Sequence, residues 1–567
     1  MLFRPNAALP ELPSIPNTVP LVDFIFENKH GRCPLTESLD PYVCGISGSS
    51  ISAVAQKQRV NQLARALQEE LGWQVNQGKS LEKVVGIFAL NNIDFMTVSH
   101  AILRLNGVVS PYNIEELTHQ LRTSRCKALF TVAPLLPVAV PAANAAGISR
   151  DRIFIIEMTA DQSLVETRLG FKTVEQLLQR GEILKELPPI LWEQGQGARQ
   201  TAFLCYSSGT SGLPKAVMIS HRNVIANIMQ LTLFDLADRL KIRPDFKDVV
   251  LGLLPQSHIF SLIIICHLST YRGDTVVVLP KFQLESYLRT IEKFTIHTLY
   301  LVPPIIIAMI NNLKTLSRFN LRSINRLWIG AAPLAPEVTS VLLSRYPSWN
   351  ITLGYGMTET CVCITSQTPQ DIVLGSSGWI LPGFEILLLD ESGNRISEYD
   401  QPGEVLVKSP SVVLGYLNND TANLETFFEF PEGRFIKTGD VGKFQMTASG
   451  VEHLWIVDRI KELIKVKGHQ VAPAELEDCL LGQPSVADCA VISVPDDRDG
   501  EIPKAFVVKN GKCSEQELQN FVQERKVSYK WLRGGIDFIE SIPKSPSGKI
   551  LRRLLRDRER ARISAKL

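Results

Sequence analysis

Short, wholly apolar runs alternate along this chain with segments whose apolar residues recur at every third or fourth position. The run VVGIFAL at 84–90 predicts a buried strand, and Phe95, Val98, Ile102 and Leu105 then mark one face of a helix. Further strand-like runs lie at 128–132 (ALFTV), 153–156 (IFII), 249–254 (VVLGLL), 275–279 (TVVVL) and 326–330 (RLWIG). Helical patterns such as Leu284, Leu288 and Ile291 fall between them. Strand, helix and strand in repetition predict an α/β protein with largely parallel sheets covered on both faces. From about Asp440 the texture changes: TGDVG, a strand-like HLWIV and the charged stretch DRIKELIKVKG come first. Two strand runs (CAVISV, KAFVV) and a helix opened by a Ser514/Glu517 capping box follow. The pattern divides the chain into a large N-terminal domain of mixed sheets covered by helices (1–457), a join at 458–461 and a small α+β C-terminal domain (462–567).

Composition narrows the class without naming an activity. A chain of 567 residues is too long for one ordinary core, and roughly three to four structural units are expected. Hydrophobic content of 45% beside 21% charged residues is that of a globular protein. A net charge of +2 gives no electrostatic case for nucleic acid as a partner. The ten cysteines form no CxxC pair, and Cys361 and Cys363 are too close for the usual zinc spacing, which fits a reducing intracellular compartment. Four prolines break the first eighteen residues, which lack the apolar run of a secretory signal. The greasiest segments, 262–268 and 301–310, fall short of the ~20 residues a membrane helix needs, so no transmembrane segment is expected. Ala565-Lys566-Leu567 is a conservative variant of the Ser-Lys-Leu peroxisomal address, and it predicts a peroxisomal import receptor as a partner.

The chemistry begins at YSSGTSGLPK, residues 206–215. Gly209 and Gly212 let the backbone approach a ligand and turn N–H groups inward. Ser207, Ser208, Thr210 and Ser211 add hydroxyl donors, and Lys215 adds a full positive charge. That combination suits a polyphosphate. It is not the P-loop of kinases and GTPases, in which lysine directly follows glycine and a Ser/Thr then binds magnesium; here Leu213-Pro214 intervene and Ala216 follows.

Together with this loop, GYGMTE (354–359), TGD (438–440), DRIKELIKVKGHQVAPAELE (458–477) and PKSPSGKILRR (543–553) resemble the adenylate-forming (AMP-binding) superfamily. Within it the chain is most similar to acyl-CoA synthetases of the 4-coumarate–CoA ligase type, from about residue 40 onward and with the motifs in order. The resemblance implies an ATP-dependent acid–CoA ligase that forms an acyl-adenylate with release of pyrophosphate, then an acyl-CoA thioester. ATP, Mg²⁺ and coenzyme A are the implied cofactors and co-substrates. By the same resemblance the loop 207–215 would hold the β- and γ-phosphates, Thr358 would touch the α-phosphate and Glu359 would bind Mg²⁺. Tyr355 would lie by the adenine, lined by Gly330, Ala331 and Gly354, while Asp440 would accept from the ribose hydroxyls with Arg459 assisting. Lys549 would bridge the α-phosphate and the acid during adenylation. Read in isolation, Lys549 is one more base in a tail that also holds Arg552, Arg553 and Arg556.

The family's C-terminal domain rotates about a hinge, here expected at 458–461. Rotation would withdraw Lys549 and present Lys465, Lys467, Gly468 and Gln470 to the same cleft, and Lys281 would meet the CoA phosphates. The acyl pocket is expected around LPQSHIFSL (254–262), with Ser257, Phe260, Leu353 and Gly356 along it and His258 near the substrate carboxylate. Amino-acid-activating relatives place an aspartate near this point, and its absence favours an acid without an α-amino group. Phe260 stands where hydroxycinnamate ligases tend to carry tyrosine, Leu353 replaces a common glutamine, and TCVCITS departs from the small AG pattern of plant enzymes. These changes point to an apolar tail, fatty, aryl or polyketide-derived. Acyl transfer to a carrier protein, luciferase-like oxidation of the adenylate, and a non-catalytic nucleotide-binding relative are the competing readings.

Overall fold

The computed structural model describes residues 1–112, 117–158, 170–207, 214–332, 336–467, 469–496, 498–545 and 548–564. Eight strands form one sheet in the order Gly415–Tyr416, Lys215–Ser220, Thr201–Ser207, Val108–Pro111, Val84–Phe88, Ala128–Thr131, Ile153–Ile155 and Lys172–Thr173. From Thr201–Ser207 to Lys172–Thr173 every neighbour pair is parallel, and the four strands from Val108–Pro111 to Ile153–Ile155 are buried at every position. A strand covered on both faces has no solvent side to carry polar residues, so its sequence is uniformly apolar. Thr201–Ser207 and Lys215–Ser220 pair antiparallel, which leaves the Ser/Gly run as their connection.

A second sheet of nine strands holds Arg326–Ile329 beside Asn350–Met357 and, beyond it, Val362–Ser366. Helix Phe95–Arg104 differs from its one-faced pattern, for Phe95 through Leu103 are all buried. It packs against both helix Ala53–Leu71 and helix Leu21–Phe26 as well as its own sheet, so polar residues such as Thr97 and Ser99 are enclosed too. The apolar run Ser261–Leu268 forms a π-helix buried along its whole length, in which the His267 ring lies 2.6 Å from the Leu262 carbonyl. Among the described residues no helix is long and apolar enough to cross a membrane.

A third, antiparallel sheet contains Gly433–Met446 and Glu452–Arg459, with Asp440 paired to Arg459. Asp458 and Arg459 of the expected join therefore lie within a strand, and the turn comes at Ile460 and Lys461. Beyond it a fourth sheet gathers His469–Val471, Ile464–Val466, Gly500–Lys509, Val486–Asp496 and Ile536–Phe538, backed by helices Pro473–Leu481, Glu515–Gln523 and Arg552–Ser564. Ser514 and Glu517 form the capping box of the middle helix. One contact ties the join to this last unit, and an ion-pair cluster braces the unit's own start. An Asp458 carboxylate oxygen accepts from the Ala474 amide at the start of helix Pro473–Leu481 (3.2 Å), and Arg552 donates to both Glu462 and Glu477.

Candidate active site

A cavity of about 860 Å³ opens between the C-terminal ends of the first two sheets and the C-terminal unit. Each wall follows from a chain turn. Ser207 and Lys215 stand at the two ends of the Ser/Gly connection and both face the cavity. Ser208, Gly209, Thr210, Ser211 and Gly212 lie outside the described residues, as do Gly468 and Ala565-Lys566-Leu567. Gly330 and Ala331 follow strand Arg326–Ile329, and Ala331 adopts a left-handed backbone (φ 70°), a conformation that L-residues other than glycine, asparagine and aspartate rarely take. Gly354, Tyr355, Gly356, Thr358 and Glu359 line the cavity from strand Asn350–Met357 and the turn after it. Directly past Glu359, Cys361 and Val362 also have left-handed φ (58° and 99°), local strain of the kind that collects at functional sites. This is where the sequence departs from the small AG pattern.

On one side of the cavity the groups are polar and paired. Tyr355 donates its hydroxyl to one Asp440 oxygen (2.7 Å), while Arg459 faces the other (3.3 Å). Asp440 is 5% exposed, and burial raises its pKa above the ordinary carboxylate value despite the opposing charge of Arg459. Both oxygens are thus engaged by protein, and Asp440 stands behind the Tyr355 hydroxyl instead of lining the open space. Lys549 enters the cavity from the C-terminal unit. Burial first, and then the neighbouring charge of Arg459, lower its pKa from 10.5 to about 8. His258 comes from the second sheet's side; burial, then the Lys549 charge, push it down to about 4, so it is neutral at physiological pH. Its Nδ1 accepts from the Phe260 amide (3.3 Å).

The opposite wall is apolar: Ile259, Phe260, Trp328, Val362 and Cys363. Phe260 and Trp328 meet edge to face with centroids 5.1 Å apart, and the Trp328 indole N–H donates to the Ser366 hydroxyl (2.8 Å). Gly354 is required here, since a Cβ at that position would collide with the indole. Among the described residues no carboxylate stands on this wall; Glu359, Glu404 and Glu425 line other parts of the cavity.

Other expected site residues lie elsewhere. Leu353 is half-buried in the sheet, where its amide takes the Gln367 side-chain oxygen (3.2 Å), and neither it nor Ser257 lines the cavity. Lys281 is exposed outside the cavity. Lys467 pairs with Asp499 (3.1 Å), Gln470 donates to Glu391, and the Lys465 amide bonds Glu501 (2.9 Å), all away from the cavity in this arrangement.

The lining residues that escaped the sequence reading include Trp328, Lys437 and Tyr416. Trp328 sits inside an apolar run and reads as core. Tyr416 donates to Glu359 (2.9 Å) and carries the Lys215 ammonium 4.8 Å above its ring, with no local pattern to mark it.

The profile of the AMP-binding enzyme family matches residues 42–417, and that of the AMP-binding enzyme C-terminal domain matches residues 475–549. The chain is 38% identical to the acyl-CoA ligase easD of Emericella nidulans over 98% of this chain and all of that protein. It is 36% identical to the acyl-CoA ligase gloD of Glarea lozoyensis over 95% of each. Among solved structures, the anthranilate CoA ligase AuaEII in complex with anthranoyl-AMP superposes with a TM-score of 0.78 at 24% identity, over 98% of this chain and 99% of that one. ATP-bound MatB from Rhodopseudomonas palustris superposes with a TM-score of 0.77 at 22% identity, over 95% and 98%. At these identities the superpositions speak for the shared fold.

Proposed function

The chain belongs to the AMP-binding enzyme family, and we propose that this cavity performs ATP-dependent ligation of an apolar carboxylic acid to coenzyme A. In the first half-reaction a carboxylate oxygen attacks the α-phosphorus of ATP, and the bond to pyrophosphate breaks with its electron pair leaving on pyrophosphate. In the second the CoA thiolate attacks the acyl carbon and AMP departs. The observation that carries this reading is the meeting of Lys549 with His258 and the Asp440–Tyr355–Arg459 cluster in one cavity, though they come from three separate sheets or units.

Each residue has a physical task. Lys215 and the loop before it would supply positive charge and donors to the terminal phosphates, and Thr358, which lines the cavity from the turn after its strand, would touch the α-phosphate. Lys549 places an ammonium where negative charge accumulates during attack, and the charges of Glu462, Asp440 and Glu359 partly offset the lowering of its proton affinity. Neutral His258 offers a ring nitrogen to the substrate carboxylate without competing for charge. Tyr355 and Arg459 line the cavity where the nucleoside would lie, each anchored by Asp440 behind it.

Glu359 is buried, bonded to Tyr416, and among the described residues belongs to no cluster of three metal-binding side chains. That suits Mg²⁺, which favours one carboxylate plus substrate phosphates. When bound, the ion would neutralise phosphate charge and polarise the leaving group.

The aromatic and aliphatic wall, free of carboxylates, supports an apolar acid without an α-amino group, in keeping with secondary metabolism. We further propose that the C-terminal unit turns about Ile460 and Lys461 to bring Lys465, Lys467 and Gln470 to the cavity for thioester formation. Where Ala565-Lys566-Leu567 form the free C-terminus, peroxisomal import is expected, and one residue added after Leu567 should leave the protein cytosolic.

The test is incubation with ATP, Mg²⁺ and acids of graded length and aromaticity, with and without CoA. AMP, pyrophosphate and a thioester should appear together. Pyrophosphate release that never yields a CoA product would exclude ligation to CoA.

A further inference from the structure

We infer that Tyr416 is a positioning residue that sets Lys215 and Glu359 at fixed places on either side of the bound triphosphate. The inference rests on the ATP-binding reading of those two residues. Tyr416 is 6% exposed and belongs to the short strand Gly415–Tyr416, which pairs antiparallel with Lys215–Ser220. Its hydroxyl edge donates to Glu359 (2.9 Å), and its ring face carries the Lys215 ammonium at 4.8 Å. One rigid side chain therefore addresses an acid and a base of the cavity through two different surfaces.

The segment around it is held as if for that purpose. The Val413 amide donates to the Glu359 carbonyl (3.0 Å), the Leu414 amide to Met218 (3.0 Å) and the Leu417 amide to Ala216 (2.8 Å). The Asn423 side chain clamps both the amide and the carbonyl of Tyr416 (2.7 and 3.0 Å). Gly415, at φ 144°, leaves room for that clamp, because a Cβ there would come 2.7 Å from the Asn423 oxygen.

The consequence is electrostatic. A lysine and a glutamate facing one cavity attract each other, and a direct ion pair would close the space that the phosphates need. Here Lys215 rests on the electron-rich face of the ring and Glu359 takes a neutral hydroxyl donor, so each is satisfied separately and stays available. Preorganisation of this sort lowers the reorganisation needed when ATP arrives.

Two substitutions separate the two surfaces. Tyr416→Phe keeps the ring under Lys215 and removes the donor to Glu359. It should raise the Mg²⁺ concentration needed for tight ATP binding roughly tenfold, while ATP affinity measured by calorimetry in EDTA stays unchanged. Tyr416→Leu removes the ring as well, and should lower the metal-free ATP affinity by a few-fold. In a Glu359→Gln background, Tyr416→Phe should change nothing further. If Glu359→Gln alone leaves the Mg²⁺ requirement intact, the assignment of Glu359 fails. If Glu359→Gln raises it but Tyr416→Phe does not, only the role of Tyr416 fails. A parallel loss of both affinities and of melting temperature in the two Tyr416 variants would mean a merely structural tyrosine and would overturn the inference.

Discussion

Raising the pH through 8 should discharge Lys549 and slow adenylate formation. Burial is the largest cause of its lowered pKa and the charge of Arg459 the second, while Glu462, Asp440 and Glu359 oppose the change without cancelling it. With the midpoint at about 8, the ligand-free enzyme holds this lysine about ten parts charged to one neutral at pH 7, and the reverse at pH 9. The charged form is the one that stabilises the transition state. The sign is therefore loss of rate on the alkaline side, with kcat/KM for ATP falling roughly tenfold per pH unit above 8, since kcat/KM reports groups of the free enzyme. Pyrophosphate exchange at an acid concentration well below saturation, from pH 6.5 to 9.5, measures it. His258 does not confuse the profile, because it titrates near 4. Lys549→Arg stays charged across the range, so it should work at a lower plateau but show no break. Arg459→Gln removes the second cause and should move the break upward. A wild-type profile flat through pH 9.5, or a break surviving in Lys549→Arg, would refute the reasoning.

Tyr355→Phe deletes a 2.7 Å donor to a buried carboxylate, a loss of about 1.5–3 kcal/mol, and should weaken ATP binding roughly tenfold or more by calorimetry with little change in fold. Gly354→Ala drives a methyl into the Trp328 indole; about 1–3 kcal/mol of stability should be lost in urea unfolding, together with affinity for the acid. Arg552→Met leaves Glu462 and Glu477 buried without their cation, which should cost about 3–5 kcal/mol and show as an early transition of the C-terminal unit. An unchanged midpoint there would mean that water already reaches those carboxylates.

The strands at 84–88, 128–131 and 153–155 were legible because a parallel strand enclosed on both sides can carry only apolar side chains, a constraint written directly in composition. The motifs likewise pointed to Lys215, to the acid that ends TGD and to a lysine near the C-terminus. What they could not carry is distance. Asp440 meets Tyr355 across 85 residues, and Glu359 meets Tyr416 across 57, so neither pairing leaves a local period to read. Trp328 and Gly354 show the same limit on neighbouring strands, where only the sheet sets the indole against the glycine.

The amino-acid order by itself determined which chemical groups are present and which runs must be buried, because hydrophobicity and charge belong to side chains. Only the tertiary structure decided what those groups are worth. Lys549 titrates near 8, and His258 is neutral at physiological pH, because distant segments bury both side chains and set the charges of Arg459 and Lys549 beside them.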